Sequence, residues 1–119
     1  MQIVIFTLFP EFFEGAFQAS ILGKAIASSE NLVKIVNIRD FAFDKHKRAD
    51  SRPYGGGPGM VMKIEPIQKA LEDNGFRKGT PDEKIILTSA MGQTHSQQKA
   101  KDFSSLKRLA IICGHYEGV

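Results

Sequence analysis

Ile3-Val4-Ile5-Phe6-Thr7-Leu8-Phe9 is an unbroken run of β-branched, aromatic and aliphatic side chains, stopped by Pro10. Such side chains suit a pleated strand. The run does not alternate apolar with polar residues, which marks a strand covered on both faces, the habit of parallel sheets. It is too short to span a bilayer, and it lacks the basic start and small-residue cleavage site of a secretory signal. The same texture recurs at residues 32–38, 84–89 and 108–114. Helical signals lie between these runs. Pro10-Glu11-Phe12-Phe13-Glu14 reads as one helical turn with proline at its start. Ser20 reads as the cap of a helix to about Ser28, with Ile21, Leu22, Ala25 and Ile26 at helical spacing. Residues 65–74 place Ile67, Ala70 and Leu71 on one face, with Gly75 at the end. Residues 96–103 read as a polar helix, and Met60 to Met62 as a short apolar stretch. Strands alternating with helices predict an α/β fold, a mostly parallel sheet with helices on both faces. Ligands of such sheets bind beyond the carboxyl ends of the strands. Two of those ends carry glycine, Thr88-Ser89-Ala90-Met91-Gly92 and Cys113-Gly114-His115-Tyr116-Glu117-Gly118.

The 119 residues suffice for one domain with a core, and 42% hydrophobic with 24% charged residues is an ordinary globular balance. A net charge of +3 permits a nucleic-acid partner without requiring one. The single cysteine, Cys113, excludes an internal disulfide and a cysteine-cluster metal site and reads as a small buried hydrophobe. Together these point to a cytoplasmic protein with no membrane partner. No internal repeat or low-complexity segment interrupts the chain.

Arg52-Pro53-Tyr54-Gly55-Gly56-Gly57-Pro58-Gly59-Met60 can be neither helix nor ordinary strand interior. Its bare backbone can approach a flat or charged ligand closely, although the same composition also occurs in surface linkers. It fails the phosphate signatures. The only Gly-Lys pair, Gly23-Lys24, is followed by Ala25 rather than Ser or Thr, and a dinucleotide fingerprint would need glycine where Met60 stands. Nucleotide-binding α/β domains of other chemistry are disfavoured accordingly. Before the loop lies Asp44-Lys45-His46-Lys47-Arg48-Ala49-Asp50. Its basic side chains can hold phosphates and its aspartates can accept from base N–H groups, while a solvated charged turn fits the pattern equally. His46, His95 and His115 lack metal-ligand spacing, so no zinc site is expected and no metal-ligating residue is assigned.

These blocks occur in a particular order: Thr7-Leu8-Phe9-Pro10-Glu11-Phe12-Phe13, Ser20-Ile21-Leu22-Gly23-Lys24-Ala25, Asn37-Ile38-Arg39-Asp40-Phe41, Asp44-Lys45-His46, Pro53 to Met60, and Cys113 to Gly118. In that order the chain resembles the bacterial tRNA (guanine-N1)-methyltransferases, the TrmD type of the SPOUT class. The resemblance covers the whole chain, and the Tyr-Gly-Gly-Gly-Pro-Gly-Met run is its most specific part. It implies methyl transfer from S-adenosylmethionine to N1 of the guanosine 3′ of the anticodon. It also implies a trefoil-knotted α/β domain and a homodimer with active sites at the subunit interface. Carried over by position, Thr88, Ser89, Gly92, Gly114, Tyr116, Glu117 and Gly118 match the loops that hold the methyl donor. Asp44, His46, Asp50, Tyr54, Gly55, Gly56, Gly57, Pro58 and Gly59 match positions that face the target guanine. An anticodon-loop base can be splayed out and held flat against bare backbone.

The chain departs from the family in three places. Ser89-Ala90-Met91-Gly92 stands where Ser-Pro-Gln-Gly is usual, which alters one wall of the donor pocket, and His115 stands where arginine is usual. Family members also run to roughly twice this length. The resemblance implies that the rest of the knot, the general base and a C-terminal tRNA-binding domain fall beyond Val119. The expectation is therefore an N-terminal portion of the methyltransferase domain, inactive alone, with no catalytic residue of its own. The family is associated with Mg²⁺, for which Glu117 is the one candidate ligand here. The rival from another class is a non-catalytic RNA-binding or dimerising module.

Overall fold

The computed structural model describes residues 1–19, 23–25, 32–42, 50–51, 61–62, 64–89 and 92–114. Among these, four strands form a wholly parallel sheet: β1 (Gln2–Thr7), β2 (Val33–Asn37), β5 (Glu83–Leu87) and β6 (Arg108–Ile112), in the order β2-β1-β6-β5. The expected α/β class with a parallel sheet is what the chain forms. β1 lies in the middle, with Phe6 opposite Val36 on one side and Ile112 on the other. Its continuous apolar run follows from this position. Val4 and Phe6 are enclosed on one face, and Ile5 and Thr7 on the other.

Each strand is shorter than its apolar run. β1 stops at Thr7 because the Thr7 hydroxyl accepts from the Phe9 backbone N–H at 3.1 Å, turning the chain before Leu8 and Phe9 can continue the ladder. Pro10–Phe13 then forms the expected turn as a 3₁₀ helix, continued by the short helix α1 (Glu14–Phe17). Residues 23–25 are helical, inside the expected helix over 20–28, whose Ser20 cap lies outside the described residues. Glycine at position 23 has a steric reason. A Cβ there would lie 2.8 Å from the carbonyl carbon of Gln18, closer than real side chains pack.

Helix α2 (Ile64–Asp73) covers one face of the sheet through Ile67 and Ala70, which join Val4, Phe6, Val36, Ile38, Phe76 and Ile112 in the core. Pro66 sits in its first turn, where a missing N–H costs no intrahelical bond. Gly75, at φ 78°, closes its end. The Gly75 N–H bonds the Glu72 carbonyl at 3.0 Å and the Phe76 N–H bonds the Leu71 carbonyl at 2.9 Å, a left-handed cap that glycine adopts without strain. Helix α3 (Gln97–Ser104) lies toward the opposite face. Ser96 caps it, accepting from the Lys99 N–H at 3.2 Å.

Two features depart from the sequence expectation. The strands are not all covered, because β5 is the edge strand and Ile85 and Leu87 remain 39% and 48% exposed. In addition, Asp50–Ser51 (β3) pairs antiparallel with Val61–Met62 (β4), Asp50 opposite Met62. This ladder sets side by side the residues that flank the Gly-rich segment in sequence. Among the described residues no helix is long and apolar enough to cross a membrane.

Candidate functional site

The carboxyl ends of β5 and β6 are tied by backbone and side-chain bonds. Thr88 donates its N–H to the Ile112 carbonyl at 3.0 Å, and its hydroxyl donates to the same oxygen at 3.1 Å. The Thr88 hydroxyl also accepts from the Gly114 N–H at 3.0 Å. The chain approaches closely here: a Cβ on Gly114 would stand 3.1 Å from the Thr88 carbonyl oxygen. On the other side of β6, the Cys113 N–H reaches the Phe6 carbonyl at 2.9 Å, so the end of β6 is anchored to both neighbouring strands.

Beside these ends, on the α3 face, opens a cleft of about 720 Å³. Its volume falls within the ~300–1,000 Å³ common for small-molecule sites. Ile86, Leu109 and Ile111 form an apolar floor, and Phe103 of α3 forms the opposite wall. The register explains the floor. Ile86 is opposite Ile111, so the two side chains share a face of the pleat. Thr88, Ser89 and Gly92 make the rim, and Gln93, Thr94, His95 and Lys99 complete it. The His95 ring stacks on Phe103 with centroids 6.4 Å apart, and the Lys84 ammonium lies 5.6 Å from the same ring. Lys99 and His95 line the cleft, whereas no carboxylate does among the described residues. The arrangement suits a flat, largely apolar group that carries an anionic end.

The sequence matches a family over its full span. The family described as tRNA (Guanine-1)-methyltransferase TrmD matches residues 1–119. The chain belongs to the TrmD family. Among curated relatives, a protein named tRNA (guanine-N(1)-)-methyltransferase from Citrifermentans bemidjiense is 48% identical over 121 residues, covering 100% of this chain and 47% of its own length. One of the same name from Fusobacterium nucleatum is 47% identical over 119 residues, covering 100% of this chain and 47% of its own length. A third, from Caldanaerobacter subterraneus, is 45% identical over 115 residues, covering 97% and 46% respectively. The chain therefore spans about half the length of the curated TrmD relatives it matches.

Of the positions matched to the TrmD donor loops, the fold brings Thr88, Ser89 and Gly92 to the rim of one cleft and holds Gly114 against Thr88. Tyr116, Glu117, Gly118 and the departures Ala90, Met91 and His115 lie outside the described residues. So do Asp44, His46 and the loop from Tyr54 through Gly59, while Asp50 is placed by its backbone pairing. Among the described residues no three His, Cys, Asp or Glu side chains converge on a metal site. The sequence reading overlooked Phe103, Lys99 and His95 as cleft residues. The signal was present in the polar helix, where Lys99, Ala100 and Phe103 fall at one- and four-residue offsets on its single half-buried stripe.

Cys113 is half-buried, and desolvation raises its thiol above the usual cysteine range. A raised value leaves less thiolate at neutral pH, and the thiolate is the reactive form. Iodoacetamide is therefore expected to label Cys113 several-fold more slowly than a free reference thiol at neutral pH, with denaturant removing the difference. Mass-spectrometric labelling kinetics check this; equal rates in the folded protein would contradict it.

Proposed function

We propose that this chain is the N-terminal part of the SPOUT methyltransferase domain of a TrmD-type enzyme. That enzyme transfers a methyl group from S-adenosylmethionine to N1 of the guanosine 3′ of the anticodon in tRNA. The observation that carries the reading is the family match across residues 1–119. The cleft supports it independently. It lies on the α3 face of β5 and β6 and extends to their carboxyl ends, the side on which parallel α/β sheets bind ligands, and three of the residues matched to the donor loops, Thr88, Ser89 and Gly92, are on its rim. The apolar floor and Phe103 suit a purine ring, and Lys99 suits the carboxylate of an amino-acid tail. These residues fit the methyl donor, which supplies an activated methyl group on a sulfonium when bound. Thr88, Ser89, Gly92, Gly114, Tyr116, Glu117 and Gly118 would hold and orient it. Asp44, His46, Asp50 and the loop from Tyr54 to Gly59 would hold the guanine in line with the methyl group. Guanine N1 carries a proton that a general base must remove. No residue of this chain is assigned that role. The proposed partners are the tRNA anticodon loop and a second copy of the enzyme, in the cytoplasm.

Radiolabelled methyl transfer into unmodified tRNA tests the proposal. The protein as its gene encodes it is expected to methylate a tRNA with guanosine 3′ of the anticodon and to leave an adenosine variant unmethylated. Separately expressed residues 1–119 are expected to transfer nothing above a protein-free control. No transfer by the gene product would refute the activity, and transfer by residues 1–119 would refute the dependence on further chain.

A further inference from the structure

Thr88 differs from the other cleft residues in where its side chain is used. A threonine hydroxyl has one proton to donate and two lone pairs to accept with. Here the proton goes to the Ile112 carbonyl at 3.1 Å, and one lone pair takes the Gly114 N–H at 3.0 Å. Both partners lie on β6 or just past it, 24 and 26 residues along the chain. The hydroxyl is thus a clip between two strand ends, and all the positions matched to donor loops follow those ends in the sequence. Gly114 is the first of the second group of matched positions and follows directly on Cys113 past the end of β6. Its lack of a side chain lets it come against the Thr88 carbonyl, since a Cβ would stand only 3.1 Å away. The Gly114 N–H is past the last ladder pair of β5 with β6, Leu87 opposite Ile112. The last sheet bond before it is that of the Cys113 N–H to the Phe6 carbonyl, and beyond that bond the clip holds the chain.

We infer that Thr88 is a positioning residue, whose hydroxyl fixes the Gly114 backbone against the rim of the cleft and thereby sets the affinity for the methyl donor. The inference rests on the donor-site reading above. Thr88 follows Leu87, the last residue of the edge strand, and its hydroxyl spans to Ile112 at the end of β6 and to Gly114 just past it; a ligand site between two strand ends needs them held in register.

The test uses the protein as its gene encodes it, with S-adenosylmethionine titrated calorimetrically and Gly114 amide hydrogen exchange followed by NMR without ligand. Thr88→Val keeps the shape and removes the hydroxyl; Thr88→Ser keeps the hydroxyl. The valine variant is expected to bind the donor about five- to tenfold more weakly, the worth of one lost hydrogen bond. It should also exchange the Gly114 amide faster and bind tRNA unchanged. The serine variant should restore donor affinity and amide protection together. Unchanged donor affinity in the valine variant would overturn the inference. So would weakened binding with an unchanged Gly114 amide, which would mean that the hydroxyl does not act through Gly114, or failure of serine to restore either. If the unsubstituted protein binds no donor, the donor-site reading falls and takes the inference with it.

Discussion

Replacing Phe6 by alanine is expected to lower the unfolding free energy by about 3–5 kcal/mol, the range for deleting a buried aromatic ring. Phe6 is fully enclosed near the carboxyl end of the inner strand β1. Its ring meets Phe76 edge-on, with centroids 6.0 Å apart and planes at 79°, a geometry worth about 0.5–1.5 kcal/mol beyond burial. The cavity left by alanine would open among Val36, Ile112 and Ile67, three elements held apart by the sheet and α2. Backbone bonds limit collapse, since the Phe6 carbonyl also anchors the Cys113 N–H. Natural domains keep only about 5–15 kcal/mol of stability, so this one change should remove a large share. Urea unfolding followed by circular dichroism measures it. A loss under about 1 kcal/mol would show that the Phe6 ring does not hold the core together. Phe6→Leu should cost clearly less.

Arg108 should be the most costly charged residue to remove. It stands at the first position of β6, and its guanidinium joins four elements. Nη2 donates to the Asn74 carbonyl at 2.5 Å, and Nη1 lies 3.5 Å from the Gly75 carbonyl, so both cap the end of α2. Nε donates to Gln2 Oε1 at 3.3 Å, and Nη1 stands 3.6 Å from Glu83 Oε2. The guanidinium also lies 3.9 Å from the centre of the Phe76 ring. Arg108→Met retains the stem and removes all of these. Breaking a buried ion pair from one side costs about 3–5 kcal/mol, and the partial exposure of both side chains reduces this to about 2–3 kcal/mol. The penalty has an identifiable source. Glu83 Oε1 is already enclosed without a hydrogen-bond partner among the described residues, and losing Arg108 would leave the whole carboxylate unpaired. Adding Glu83→Gln to Arg108→Met should therefore recover about 1 kcal/mol, because a neutral amide costs less to bury than a carboxylate. If the double variant is no more stable than Arg108→Met, the cost lies in the α2 cap alone.

Much of this architecture was readable in the amino-acid order. Ile3–Phe9 announces a strand covered on both faces because its neighbours in sequence are apolar without alternation. Ile67, Ala70 and Leu71 followed by Asn74-Gly75 announce a helix and its stop. Both signals are local: spacing along the backbone decides which side chains share a face, and glycine decides where a left-handed cap can form. The family blocks were readable for a different reason, since they are residue types in a fixed order.

Other features were not readable, because they depend on which strand lies beside which. Residues 84–89 look as buried as residues 3–9, yet β5 falls at the sheet's edge and leaves Ile85 and Leu87 partly in solvent. Phe103 is the lone large apolar residue of a polar helix, and only the floor built by Ile86, Leu109 and Ile111 makes it a cleft wall. Arg108 reaches Asn74 and Thr88 reaches Gly114 across 34 and 26 residues, and no periodicity connects such pairs. Local spacing was enough for the strands, the helices and the turn glycines, because backbone geometry acts over a few residues. The edge, the cleft and the clip between β5 and β6 had to wait for the packed sheet, because contact between distant segments is set by strand order and register.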